Sequence, residues 1–270
     1  MAAPDAGSPP RLHIGADGVA QITLARPAHL NRLNREDLLA LQSHIDTLRQ
    51  QPQLHALVLT GEGRAFCAGF HLGQLGASTE AAAADPRGDE SGGDPRLFEH
   101  TVDALAALPL PTVARLNGGV YGGATDLALA CDFRIGVDGM SLRMPAAHLG
   151  LHYYASGLQR FVSRLGLAAA KRLFLLGETV PHTELLALGY LDRCVPPDAL
   201  DDAVQQITSA LAAGAPLALC GMKQSLNDIA AGTADAAQMR EREATCAASA
   251  DLREGLAAFA ERRAPRFVGR

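Results

Sequence analysis

The sequence predicts an α/β core followed by a helical C-terminal part, and three observations predict it. The first 60 residues alternate strand-like and helix-like stretches in the order of a βαβ unit. Glycine-rich turns then separate short apolar runs between Gly61 and Gly157. Beyond Gly157 nearly everything reads helical. The chain is rich in alanine, the residue of highest helix propensity, and has no Trp.

Taken in order, residues 12–14 and 19–24 are apolar or alternating around Gly15 and Gly18, which predicts a β-hairpin. Asn34 stands as an N-cap before a periodic stretch ending near Gln50. Residues 55–60 form a short buried strand, closed by Gly61-Glu62-Gly63, and this order implies a largely parallel sheet. Residues 77–96 are rich in Ala, Gly, Asp and Ser with little to bury. They read as a mobile surface segment or a partly formed helix beside the site. A helix over 97–108 stops at Pro109-Leu110-Pro111, and 112–116 is the next strand. Asn117 to Gly123 is a glycine-rich turn, 124–130 a helix, and 132–137 and 141–144 strands. Further on, 191–195 reads as one last strand among helices broken at Gly166, Gly177, Gly189, Pro196-Pro197, Gly214 and Gly232. No internal repeat is present.

Composition narrows the function. With 270 residues the chain can bury one large core. A net charge of −5 and no Lys/Arg-dense run leave no electrostatic footprint for nucleic acid. No apolar stretch approaches the roughly 20 residues that span a bilayer, so no membrane partner is expected. The first ten residues lack the basic and apolar regions of a secretory signal and read as a disordered tail. Cys67, Cys131, Cys194, Cys220 and Cys246 are scattered, which suits reduced thiols and a cytoplasmic protein.

Two motifs carry the chemistry. Gly63-Arg-Ala-Phe-Cys-Ala-Gly-Phe-His-Leu72 follows a strand. Asn117-Gly-Gly-Val-Tyr-Gly-Gly-Ala-Thr-Asp-Leu-Ala-Leu-Ala-Cys-Asp132 is a glycine turn feeding a helix. Small residues let a ligand approach main-chain N–H groups, and a helix start offers unpaired ones, which suits a developing oxyanion. Each motif alone is compatible with an ordinary turn. There is no P-loop, no G-x-G-x-x-G dinucleotide fingerprint, no G-x-S-x-G elbow and no H-E-x-x-H zinc spacing.

Together the two motifs resemble the enoyl-CoA hydratase/isomerase (crotonase) family. Matches in the same order support this. They are Arg26-Pro27 with Leu30-Asn31-Arg32-Leu33, Pro145 with Leu149-Gly150, Gly157-Leu158-Gln159-Arg160, residues 187–192, and Arg253 to Phe267. The likeness runs from about residue 11 to 268. It implies a spiral of ββα units over 11–200 and a C-terminal helical trimerisation region over 201–270, assembled as a homotrimer or dimer of trimers. It also implies an acyl-CoA substrate, with coenzyme A as part of it and no prosthetic group or metal. Its oxyanion hole would use the N–H groups of Ala68 and Gly123. The segment 28–33, with Ala28 and Leu30 in it, and Phe70, His71 and Leu72 would line the nucleotide and pantetheine path, and Ala65, Phe66 and Gly69 are also expected to bind substrate. Gly119, Gly122, Pro145, Ala146, His148 and Leu149 complete the expected substrate-binding set.

The resemblance is incomplete at the proton-transfer step. Hydratases of the family use two glutamates. The first falls at Asp126, three residues into the helix after Gly123, and the second at Ala146, whose methyl group cannot carry a proton. Asp126 is the best acid/base candidate, although an Asp there also favours a helix start. Tyr154 falls where the family's dienoyl-CoA isomerases carry a catalytic aspartate, and His148 and His152 are nearby. Three readings follow: an enoyl-CoA hydratase/isomerase, an isomerase or decarboxylase using Asp126 with Tyr154 or a nearby His, or a non-catalytic acyl-CoA-binding homologue.

Overall fold

A computed structural model describes residues 7–71, 94 and 96–270. Leu72 and nearly all of the 77–96 segment lie outside the described residues.

The expected hairpin forms from β1 (Ser8–Ile14) and β2 (Val19–Ala25), paired antiparallel. It starts earlier than expected, because Ser8-Pro9-Pro10 of the expected tail belong to β1. β1 is an edge strand, and its pairing register shifts between Ser8 and Arg11. Prolines are tolerated at such a place because no central ladder bond is lost. α1 (Arg35–Arg49) opens on Asn34, whose side chain accepts the Asp37 N–H while Asp37 accepts the Asn34 N–H. That reciprocal cap satisfies two otherwise orphaned donors.

Next come β3 (Ala56–Gly61), β4 (Ala65–Cys67), α2 (Leu97–Ala106), β5 (Thr112–Leu116), β6 (Gly119–Tyr121) and α3 (Ala124–Leu129). They are followed by β7 (Phe133–Val137), β8 (Ser141–Arg143), α4 (Ala155–Lys171), β9 (Thr179–Pro181), α5 (His182–Ala187) and β10 (Arg193–Val195). One sheet has the order β1-β2-β3-β5-β7-β10, parallel from β2 onward. A second, smaller sheet has the order β4-β6-β8-β9. The chain passes from a strand of the first sheet to a short strand of the second and into a helix, as in β5-β6-α3 and β7-β8-α4. This is the ββα spiral that the resemblance implied. β3 is buried along its whole length, with Leu57 and Leu59 in the same core as Ile22, Val113, Leu116 and Ile135. Such a strand, covered on both faces, is read from a continuous apolar run.

β4, β6 and β9 were not expected, and β6 lies inside the stretch read as a turn. Three-residue strands are too short to show a two-residue period, so only pairing defines them.

At the C-terminal end, α6 (Leu200–Ala212) packs on β3, β5 and β7, burying Leu200, Ala203, Val204 and Leu211. The expected boundary at 200/201 therefore falls at the start of a helix that belongs to the core by packing. α7 (Pro216–Ala231) and α8 (Ala236–Ala248) bury no residue in the chain, and α9 (Ala250–Glu261) buries only Asp251 and Ala258. The Lys223 ammonium ties α7 to the core, 2.7 Å from the Asp132 carboxylate and 2.8 Å from the Leu110 carbonyl. Among the described residues no single helix is long and apolar enough to cross a membrane.

Candidate active site

The first motif leaves the core at β4 and then runs beside Leu33. The Leu33 N–H donates to Gly69 O and the His71 N–H to Leu33 O, both at 2.8 Å, forming a parallel bridge between Leu33 and Phe70. In a parallel bridge the central residue directs its own N–H away from the partner. The Phe70 N–H therefore points to the opposite side, where no described residue accepts it. The Ala68 N–H is not available, because it donates to the Leu30 carbonyl at 2.8 Å. This corrects the expected oxyanion donor. Ala68 holds the loop in place, and the open donor lies two residues further on.

Asn31, quoted from the sequence only within a family match and the 28–33 segment, builds this loop. It is buried in the left-handed region, with φ 55°. Its side-chain amide donates to the carbonyls of Glu62, Ala65 and Phe66 at 2.8, 2.9 and 3.1 Å, and its Oδ1 accepts the Arg26 N–H at 3.0 Å. One side chain thus fastens the turn at Leu30 to β4. Asn tolerates positive φ better than most residues, and this is the only signal the sequence offered.

The second motif brings Gly123 to the same place. The Gly122 N–H donates to Arg143 O at 2.9 Å, whereas the Gly123 N–H has no acceptor among the described residues. Gly69, at φ +85°, lets the two loops touch: a Cβ there would lie 2.6 Å from Tyr121 O and 3.0 Å from Gly123 N. The result is a pair of outward N–H groups, from Phe70 and Gly123, on adjoining backbones.

Asp126 lies on α3 just beyond, with no exposed surface. Arg160 of α4 donates from one nitrogen to both its oxygens at 3.0 Å and from the other to Asp103 at 2.6 Å. The Tyr154 hydroxyl donates to Asp126 Oδ2, and the Tyr153 hydroxyl lies 3.3 Å from that of Tyr154. Burial pushes the Asp126 carboxyl above the usual carboxylate range, while Arg160 and Tyr154 pull it back. Burial likewise raises Tyr154 and Tyr153 far above an ordinary phenol. Asp126 and Tyr154, named separately from the sequence, are one hydrogen-bonded unit. Its cationic partner Arg160 was quoted only as part of a family match.

The position expected for a second acid holds Ala146 instead. Ala146 is 4% exposed, in a 3₁₀ turn spanning Ala146–Leu149 that follows Pro145. His148 and Leu149 are exposed, with the His148 imidazole against Gly177. His152 is exposed too, its Nδ1 2.8 Å from Tyr153 O. Neither imidazole shares a hydrogen bond with Asp126 or Tyr154, so the structure does not bring them into the unit.

Other expected lining residues divide. Phe66 and Ala65 are buried in β4, Phe66 with no exposed surface, so its ring is core and not lining. Gly119 is buried against Tyr121. Ala28 is exposed and Leu30, Gly122, Phe70 and His71 are half-buried. His71 Nδ1 is buried without a hydrogen-bond partner. Asp138, His182 and Cys194 bring ligand-type atoms within 4.8 Å of one another. However, the Gly139 N–H donates to His182 Nδ1 at 3.1 Å and the Cys194 thiol to Asp138 at 3.4 Å. The thiol is pushed up to about 11, and these groups satisfy one another.

Comparison with known proteins agrees with this fold. The family model for enoyl-CoA hydratase/isomerase matches residues 15–270. A 2,3-dehydroadipyl-CoA hydratase of Escherichia coli is 31% identical over 255 residues, 93% of this chain and 96% of that protein. A 1,2-epoxyphenylacetyl-CoA isomerase of the same organism is also 31% identical over 255 residues, 94% and 96% of the two chains. A crystal structure of an enoyl-CoA hydratase from Bacillus anthracis superposes with a TM-score of 0.84 at 26% identity, covering 97% of this chain and all of that one.

Proposed function

Since the chain belongs to the enoyl-CoA hydratase/isomerase family, we propose that it is an acyl-CoA enzyme that moves a proton at the acyl carbons by an isomerase-type route. A hydratase and an isomerase are equally similar to it, so identity does not choose the reaction. The observation that carries the reading is the asymmetry of the site: one buried acid with a tyrosine in front of it, and Ala146 where a second acid would stand.

The thioester carbonyl accepts the Phe70 and Gly123 N–H groups. Removing a proton from the acyl chain develops negative charge on that oxygen. Each preorganised donor lowers the barrier by about 3 kcal/mol. The departing proton goes to Tyr154 Oη as the Tyr154 proton passes to Asp126 Oδ2. Asp126 becomes neutral, and reversal of the relay returns the proton to another carbon. Burial, by raising the Asp126 pKa, makes it a better acceptor than a surface carboxylate. Arg160 and Asp103 stay in place and hold the carboxyl group's orientation.

The test is exchange of acyl-chain protons in D2O, read by mass spectrometry on a panel of acyl-CoA esters. Asp126→Asn and Tyr154→Phe should each slow exchange by about 10²–10⁴-fold while thioester binding persists. Wild-type exchange should fall as pH drops through the Asp126 ionisation, at a higher pH than for an exposed Asp. Efficient hydration of a 2-enoyl-CoA without detectable exchange would overturn the route. Binding without any turnover would favour a non-catalytic role.

The same reading extends to assembly as a trimer or dimer of trimers. It is supported by α7 and α8, which bury nothing in the single chain, and by exposed Met222, Leu226, Leu256 and Phe259, the last 86% exposed. Such apolar surface on one region marks an interface. A monomer by light scattering would refute it. Five free cysteines are in keeping with a reducing, cytoplasmic setting.

A further inference from the structure

The chain is poor in aromatic residues, with eight Phe, four Tyr and no Trp. Half of these form one continuous series of ring contacts beside the oxyanion donors. Phe70 and Phe98 have centroids 6.0 Å apart, and Phe98 and Tyr154 are 6.1 Å apart. Tyr154 stacks on Tyr153 at 4.3 Å, Tyr153 meets Phe174 at 5.2 Å, and Phe174 meets Phe161 at 4.8 Å. These residues come from four separate stretches of chain, so the fold and not local sequence gathers them.

The series has an open end and a closed end. Tyr153, Phe174 and Phe161 are buried, whereas Phe70, Phe98 and Tyr154 are only half-buried. The open end lies at the reacting position. Phe70 supplies one donor N–H, and the Phe98 ring packs beside the residue that supplies the other, since a Cβ on Gly123 would lie 2.6 Å from Phe98 Cζ. Tyr154 carries the hydroxyl bonded to Asp126. An acyl group whose carbonyl sits on the Phe70 and Gly123 N–H groups therefore has these three half-buried rings close to its carbonyl end.

We infer that the acyl site is specific for thioesters carrying a planar aromatic group near the carbonyl, with Phe98 as the residue that determines this. The inference rests on the acyl-CoA reading above and names its substrate class. The physical reason is geometric. Tilted and edge-on ring pairs gain from their quadrupoles beyond the area they bury, and a flexible alkyl chain gains only the area. An alkyl chain also loses rotamer freedom when confined, which a ring does not. The inner rings, packed on one another and on Tyr154, hold the series in place.

The experiment compares calorimetric binding of 3-phenylpropionyl-CoA and nonanoyl-CoA to the full-length protein. Both acyl groups have nine carbons and neither has a chain double bond to hydrate. The phenyl ester should bind about tenfold more tightly, the expected gain from one good ring pair. Phe98→Leu should abolish that preference while leaving the affinity for coenzyme A alone unchanged. Phe70→Leu, which keeps its backbone N–H, should reduce it as well, and thermal melts verify folding of both. Equal or reversed affinities in the wild type, with coenzyme A bound, would overturn this specificity and leave the acyl-CoA reading standing. Absence of binding by coenzyme A and both esters would overturn both.

Discussion

The two halves of the site are made in different ways. The half proposed to hold the thioester oxygen consists of main-chain N–H groups of Phe70 and Gly123, held by backbone contacts at Gly69 and by the amide of Asn31. The acid half consists of side chains, Asp126, Tyr154 and Arg160, held by charge and burial. The first half is tolerant of the side chain at Phe70, so long as Gly69 lets the backbones touch. The second depends on every member, because a buried charge without its partner is costly.

The largest effect expected is on the backbone half. Gly69→Ala places a methyl group 2.6 Å from Tyr121 O in a residue at φ +85°, where nothing but backbone can yield. The two donors separate, and turnover should fall by about 10²–10³-fold, the cost of losing one oxyanion donor. If Gly69→Ala were fully active, contact between the two loops would not be what sets the donors.

Arg160→Met tests the acid half next. It leaves Asp126 buried without its cation and should destabilise the fold by about 3–5 kcal/mol in a denaturant titration. The sign of the pH dependence follows from the raised Asp126 pKa. Without Arg160 that pKa rises further, so the folded state binds more protons than the unfolded one. The variant should be least impaired in acid and lose stability as pH rises through the folded pKa. Impairment that does not change with pH would mean that Asp126 stays ionised by other means.

The same contrast explains what was legible in the sequence. The ββα core could be read, because buried strands such as β3 and capped helices such as α1 leave patterns of their own. The helix breaks could be read too: Gly166 and Gly232 adopt φ of 80° and 72°. The acid was legible by name, since of the two carboxylates in its motif only Asp126 lies within the helix that follows Gly123, Asp132 coming after it. Its engagement with Arg160, 34 residues away, was not, because ion pairs across elements leave no local pattern. The backbone donor was read two residues early. Every residue has an N–H, and the one that is open depends on which way each peptide faces in the bridge with Leu33.

The smallest expected effect comes from restoring the missing carboxylate. Ala146→Glu introduces a longer, charged side chain at a position only 4% exposed. Overpacking of that kind costs about 1–3 kcal/mol, so the melting temperature should fall modestly. The oxyanion donors and the Tyr154–Asp126 relay are untouched, and proton exchange should change less than in any variant above. Hydration is the sensitive readout. A second carboxylate facing the acyl group can hold a water, and conversion of a 2-enoyl-CoA to the 3-hydroxy product should rise above the wild-type level. If hydration rises and exchange holds, the two halves are separable and Ala146 decides the reaction. If both collapse together, the flank around Ala146 is part of the acyl-binding wall, and the division between a permissive backbone half and an exacting side-chain half fails at that point.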